Sequence, residues 1–250
     1  MRVLIPCIRL RWTFIPLGEK SFGPLTLFLA LSMLDSNLSL KLTQLGLKID
    51  KEKCFQNVEE IVKHAKQLNN FVRIDMEDST CTTGTLEIYR KLRKTYNNVG
   101  TVIQAYLMRS QEDVRQLIEE GIAHLRICKG IYDESPEIAY KDREKIKENY
   151  IRLVEMVLDS GGYVGIATHD RGVINRIIEM IRSEGYSSSQ FEFQMLLGVT
   201  EHLRKELVSQ GYRLRVYVPY GDQWYGYCTR RLKENPQLAG YIIKNIFIRK

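Results

Sequence analysis

Neither a G-x-x-x-x-G-K-[ST] loop nor a G-x-G-x-x-G turn behind a first strand occurs in the chain. Their absence argues against a P-loop fold and against a doubly wound dinucleotide-binding sheet. The five cysteines, Cys7, Cys54, Cys81, Cys128 and Cys228, are scattered and odd in number, with no C-x-x-C pair. That pattern fits a reducing cytosol and speaks against a disulfide framework or a structural zinc. The four histidines, His64, His124, His169 and His202, form neither H-x-H nor H-E-x-x-H, so no metal site is legible. Apolar runs are short: the longest, Leu25–Leu34, is about half the length of a membrane span. Arg2, Arg9 and Arg11 ahead of it loosely imitate a signal peptide, but no convincing cleavage site follows. Low-complexity tracts, long linkers and sequence repeats are also missing.

What is present is ordinary globular material. The chain has 250 residues, 44% of them hydrophobic, and a formal charge of +7. Lys and Arg are mixed with Asp and Glu along the whole length, which suits mild attraction for anions and argues against a nucleic-acid footprint. Runs of alternating or apolar residues recur at Arg11–Ile15, Asn37–Leu42, Val72–Met76, Gly100–Tyr106, His124–Cys128, Tyr163–Thr168, Phe191–Met195 and Leu214–Val218. Between them lie helical patterns at Glu52–Leu68, Thr85–Arg93, Ser110–Glu119, Lys145–Asp159, Val173–Arg182 and Thr200–Ser209, with Ser110 and Thr200 expected as N-caps. Strands that alternate with helices pair in parallel through right-handed crossovers, and eight of them predict a closed (β/α)8 barrel. Residues 1–36, broken by Pro6, Pro16 and Pro24, read as an atypical remnant of the first βα unit. Residues 37–250 read as the barrel domain.

A barrel does its chemistry at the C-terminal ends of its strands. The last polar residues there are Lys41, Asp75, Gln104, Arg126 with Lys129, His169, Gln194 and Tyr217. Buried polar and charged groups are costly unless paired or liganded, so one per strand at the same end marks a site. Lys41 could equally be the outward member of its strand, and His169 a satisfied loop histidine. The donors in this ring suit a planar, hydrogen-bonding, anionic cofactor, with Asp75 and Lys41 expected to pair. The stretch Arg213–Asn235 adds a strand ending near Tyr217, a break at Pro219 and Gly221, and a helix from Asp222. That helix carries Trp224, Tyr227, Arg230 and Arg231, and adjacent guanidiniums match a small carboxylate bidentately.

The segments SLKLTQLGL (39–47), VRIDMED (72–78), VIQAYL (102–107), LRICKGIYDE (125–134), IATHD (166–170), FEFQMLLG (191–198) and YVPYGDQWYGYCTRRLKEN (217–235) resemble the proline dehydrogenase family, in order and at barrel spacing. The resemblance implies FAD-dependent oxidation of L-proline to Δ1-pyrroline-5-carboxylate by hydride transfer to flavin N5. It also implies a membrane quinone or similar acceptor, and hence a cytoplasmic protein touching the inner face of the membrane peripherally. Carried across, Asp75, Arg126, Lys41 and Tyr217 are the catalytic candidates, and Lys41, Tyr227, Arg230 and Arg231 hold the substrate. Met76, Gln104, Arg126, Lys129, Gly130, Ile131, Thr168, His169 and Gln194 are the cofactor candidates. The chain departs from the family at its start, where only Leu17-Gly18-Glu19 of the usual first-strand motif remains. Two other readings stay open: a Schiff-base lyase or aldolase barrel using Lys41 or Lys129, and a non-catalytic remnant of the family.

Overall fold

The computed structural model describes residues 10–16 and 36–220. Among them are eight parallel strands: β1 (Leu10–Pro16), β2 (Ser36–Leu40), β3 (Phe71–Ile74), β4 (Val99–Gln104), β5 (His124–Cys128), β6 (Tyr163–Ala167), β7 (Phe191–Leu196) and β8 (Leu214–Tyr220). Each pairs with its sequence neighbours, and β1 pairs with both β2 and β8, closing the ring. The β1–β8 seam runs in register from Leu10 opposite Leu214 to Pro16 opposite Tyr220. The predicted barrel is therefore formed, and the strand of its first unit is in place despite the irregular sequence around it.

Among the described residues six α-helices follow strands: α1 (Lys51–Gln67), α2 (Ser79–Arg93), α3 (Ser110–Glu119), α4 (Arg143–Asp159), α5 (Arg171–Glu184) and α6 (Glu201–Ser209). Aspartate starts four of them. Asp50, Asp78, Asp142 and Asp170 each accept backbone N–H groups of the first turn, which would otherwise lack partners. The two expected hydroxyl caps differ. Ser110 is the first helical residue and not the cap; its hydroxyl instead accepts from Asn149 at 2.9 Å. Thr200 holds the cap position in the left-handed region, at φ 48°, and makes no capping bond. α5 ends on Gly185 at φ 71°, a conformation that glycine adopts without steric cost.

Strand residues alternate between two environments. Leu38, Leu40, Val72, Ile74, Leu125 and Ile127 are almost fully buried in the core cluster they share with the helices. The residues of opposite parity point into the barrel, and there most side chains are polar, though Val102 and Ala167 share that parity. Ser39, Arg73, Arg126, Glu192, Gln194 and Arg215 are all buried. Contacts between strands that are not neighbours prove the direction: Arg126 on β5 reaches Ser39 on β2, and Tyr217 on β8 reaches Asp75 beyond β3. The apolar core is thus a shell between sheet and helices, and the lumen is a packed polar column.

Candidate active site

Asp75, the first residue past β3, is the hub of the lumen's C-terminal end. Its Oδ1 accepts from Ser39 Oγ at 2.7 Å and from Arg126 Nη1 at 2.6 Å, while its Oδ2 accepts from the Tyr217 hydroxyl at 2.9 Å. The Arg126 guanidinium lies over the Tyr217 ring, 5.1 Å from its centroid. Arg126 Nε donates to Gln194 Oε1 at 2.6 Å, and Gln194 Nε2 donates to Glu192 Oε1 at 2.8 Å. Arg215 completes the chain by donating from Nε and Nη2 to the two Glu192 oxygens, at 2.6 and 3.1 Å. Burial pushes the Glu192 carboxyl up, but the Arg215 charge and hydrogen bonds from Arg215, Gln194 and Tyr163 outweigh it, leaving a lowered pKa.

One layer lower, Arg73 is fully buried, and among the described residues no carboxylate pairs with it. It donates from Nη1 to the carbonyls of Thr101 and His124, at 3.0 and 2.8 Å. Burial, and next the charge of Arg126, lower its pKa to about 10, still well above neutrality. These lumen groups therefore comprise three cations (Arg73, Arg126, Arg215) and two anions (Asp75, Glu192), an excess of positive charge that favours anionic ligands.

Among the buried polar atoms that find no partner in the described residues are two that point into the lumen's C-terminal layer, Arg126 Nη2 and Gln104 Oε1. Each forfeits a hydrogen bond in a place where water is scarce, at a cost of about 1–3 kcal/mol, unless a ligand supplies the partner. A pocket of about 260 Å³ lies at the other end of the barrel, lined by residues such as Arg93, His124 and Tyr163. That pocket has an orphaned atom of its own, Arg93 Nε. What favours the C-terminal end is that Arg126 Nη2 and Gln104 Oε1 adjoin the polar network around Asp75, where a barrel does its chemistry.

The family profile for proline dehydrogenase matches residues 30–242. The chain is 41% identical over 213 residues to proline dehydrogenase 1 of Bacillus subtilis subsp. natto, covering 85% of this chain and 70% of that one. It is 37% identical over 214 residues to the proline dehydrogenase of Deinococcus radiodurans, covering 84% and 69% respectively. The chain belongs to the proline dehydrogenase family. Members are oxidoreductases that carry out the first step of proline catabolism. Its fold also matches the crystal structure of proline utilization A from Bdellovibrio bacteriovorus, with a TM-score of 0.82 and 24% identity. That match covers 90% of this chain and 30% of the larger one.

Of the residues singled out in the sequence, the fold brings Asp75, Arg126, Gln194 and Tyr217 into one network, with Gln104 beside them on the same rim. Lys41 follows β2 on the parity of Ser39 and is half-buried, so it belongs to the lumen side. The expected pairing of Lys41 with Asp75 is not formed: Asp75 is occupied by Ser39, Arg126 and Tyr217. Lys129 is ion-paired with Asp170 at 2.6 Å, which occupies the amine that the Schiff-base reading needed. Family membership sets that reading aside.

Five further candidates have structural surroundings of their own. Gly130 sits at φ 100° against the Tyr106 ring, where any Cβ would collide with the ring carbons. The Thr168 hydroxyl accepts from Asp170 N at 3.1 Å, Met76 is part of the main core, and Ile131 is exposed. His169 is committed at both nitrogens: Nε2 accepts from Leu196 N at 3.2 Å, and Nδ1 bonds Thr200 Oγ1 at 2.9 Å. Burial, then Arg204, lower its pKa to about 4, so the ring is neutral, and Nδ1 must carry the proton it shares with Thr200. It braces the left-handed turn at Thr200. Trp224, Tyr227, Arg230 and Arg231, with the helix expected from Asp222, lie outside the described residues.

Sequence reasoning passed over Ser39, Arg73 and Arg215. The signal was available: each lies two residues before a rim residue already chosen, Lys41, Asp75 and Tyr217, and so shares its parity.

Proposed function

We propose that the C-terminal mouth of the barrel holds FAD and that L-proline is oxidised there to Δ1-pyrroline-5-carboxylate. The observation that supports the cofactor is the pair of orphaned atoms, Arg126 Nη2 and Gln104 Oε1. A flavin ring system carries both complements, carbonyl oxygens for the guanidinium and a ring N–H for the amide oxygen. When bound, it supplies the acceptor for the hydride that leaves proline C5.

The chain supplies binding and electrostatics. Arg126 is held by Asp75, Ser39 and Gln194, so its charge is fixed before any ligand arrives and costs no reorganisation during reaction. Tyr217, tied through its hydroxyl to Asp75, gives a wall for the proline ring whose position follows that of Arg126. Arg230 and Arg231 clamp the proline carboxylate as two donor forks, with Tyr227 and Lys41 completing the substrate pocket. Lys129, Gly130, Ile131, Thr168 and His169 line the cofactor's path away from the reacting ring. His169 contributes there through the loop it braces.

The electron acceptor in this reading is a membrane quinone or a similar compound, and the protein is cytoplasmic with peripheral contact at the inner membrane face. Among the described residues no helix is long and apolar enough to cross a membrane. The visible spectrum of purified protein tests the reading. Flavin bands should be present, or appear on mixing with FAD, and should bleach when L-proline is added without oxygen. A protein that stays colourless with FAD would sink it.

A further inference from the structure

We propose that Glu192, fully buried on β7, is a positioning residue that fixes which way the Gln194 amide points and thereby which nitrogen of Arg126 is left for a ligand. A glutamine amide has nearly the same shape either way round but opposite polarity, so packing alone does not choose its direction. Turned over, Gln194 would set its NH2 group against the Arg126 guanidinium, donor against donor. The Glu192 carboxylate prevents this because it only accepts, and it takes Gln194 Nε2 at 2.8 Å. Oε1 is then forced toward Arg126 Nε, which it meets at 2.6 Å.

Two further features hold the arrangement. Arg215 grips both Glu192 oxygens, which keeps a carboxylate rather than a carboxylic acid behind Gln194. Gly165 on β6 gives the amide its room: a Cβ there would come within 2.5 Å of Gln194 Nε2. With Nε taken by Gln194 and Nη1 by Asp75 and Ser39, Nη2 is the nitrogen of Arg126 without a partner among the described residues. The order runs Arg215 to Glu192 to Gln194 to Arg126, and only the last meets the ligand. The functional readout rests on the flavin reading above; the geometric claim does not.

The test is Glu192→Gln. Arg215 will claim the new amide's oxygen, its NH2 will face Gln194, and Gln194 must then turn its own oxygen away from Arg126. In a crystal structure of the variant Arg126 should leave its present position. In the flavin-loaded protein the guanidinium should favour the more negative reduced cofactor less. The expected change is a tenfold loss in relative affinity for reduced over oxidised flavin, about 30 mV more negative for a two-electron couple. The exchange Glu192→Gln/Gln194→Glu puts an acceptor back on Arg126 and a donor behind it, so it should return the potential toward wild type. A purely structural role would give no such rescue. If Glu192→Gln does not fold, Glu192→Gln/Arg215→Gln leaves no buried charge alone and serves for the same comparison. An unmoved Arg126 together with an unchanged potential overturns the proposal. A wild-type protein that binds no flavin defeats the cofactor reading instead, and leaves the displacement of Arg126 in the crystal to decide this one.

Discussion

A methyl group at Gly165 would lie 2.5 Å from the Gln194 amide nitrogen, whereas one at Gly100 would lie 2.5 Å from both Arg73 Nη1 and the His124 carbonyl oxygen. The difference is what can give way. Gln194 is a side chain with rotamers to spare, so Gly165→Ala should leave the fold standing with a loss of about 1–3 kcal/mol. Its main effect should be weaker flavin retention, because Arg126 loses the acceptor on its Nε. Gly100→Ala presses on strand backbone and on an arginine that is already fully buried, so its loss should exceed that range and little folded protein should accumulate. Thermal melts of the two variants, with flavin content measured on whichever folds, check the contrast. Asp75→Asn probes the same column from the other end. It keeps the shape but removes the charge opposite Arg126, leaving an uncompensated buried guanidinium at a cost of about 3–5 kcal/mol. A melt within a degree or two of wild type would show the ion pair to be dispensable.

The segment between β5 and α4 shows how an element is held where its sequence alone predicts only a loop. Glu134 accepts from Ser79 N at 2.7 Å and Ser79 Oγ at 2.6 Å, so a carboxylate from this segment sits on the N-terminal turn of α2. Met108 N donates to Ile138 O at 2.9 Å, and Tyr140 N donates to Tyr106 O at 2.8 Å, tying the same segment to the loop after β4. It is therefore fixed across the mouth of the barrel. Glu134→Ala should cost about 1–3 kcal/mol through the Ser79 groups left without their acceptor. It should also open cleavage sites near residues 130–138 in limited proteolysis, and an unchanged digestion pattern would count against the pin. Elements of this kind were poorly legible in the sequence. A run such as Gly130–Tyr140 has no period, and its order comes from partners 28 to 55 residues away. The strands were legible for the opposite reason. Their outward parity is mostly apolar and their inward parity mostly polar, so alternation survives even though both faces are buried. The caps divide along the same line. Asp78 caps through a local bond to Thr80 N, whereas Ser110 was misread as a cap because Asn149, distant in sequence, claims its hydroxyl.

At the scale of the molecule, protonation sets a limit on the acid side. His169 has its pKa lowered to about 4 by burial and then Arg204, and His124 is held well below its usual value by burial and then Arg73. Between roughly pH 4 and 6.5 the unfolded chain therefore binds protons that the folded one refuses. Stability is fully present above that window and falls as pH drops through it. For His169 alone the loss at pH 5 is about 2 kcal/mol. The melting temperature should fall between pH 7 and pH 5, and His169→Gln should reduce the size of that fall. An equal fall in wild type and variant would remove His169 as a cause. The substrate side of the site was the reverse case, legible in Tyr227, Arg230 and Arg231 as a motif, yet lying outside the residues whose geometry is described.

The seam between β1 and β8 joins segments about two hundred residues apart in the chain, Leu10–Pro16 and Leu214–Tyr220. During synthesis the first of these leaves the ribosome long before its mate exists. Until then β1 has one bare edge, and Asp75 waits for the hydroxyl of Tyr217. A nascent chain can stack its early units but cannot seal its ring or finish its buried charge network before the eighth strand is made. Competence for catalysis is thus acquired late and all at once, and a ribosome that stalls before residue 214 leaves an open, sticky sheet for chaperones to shield.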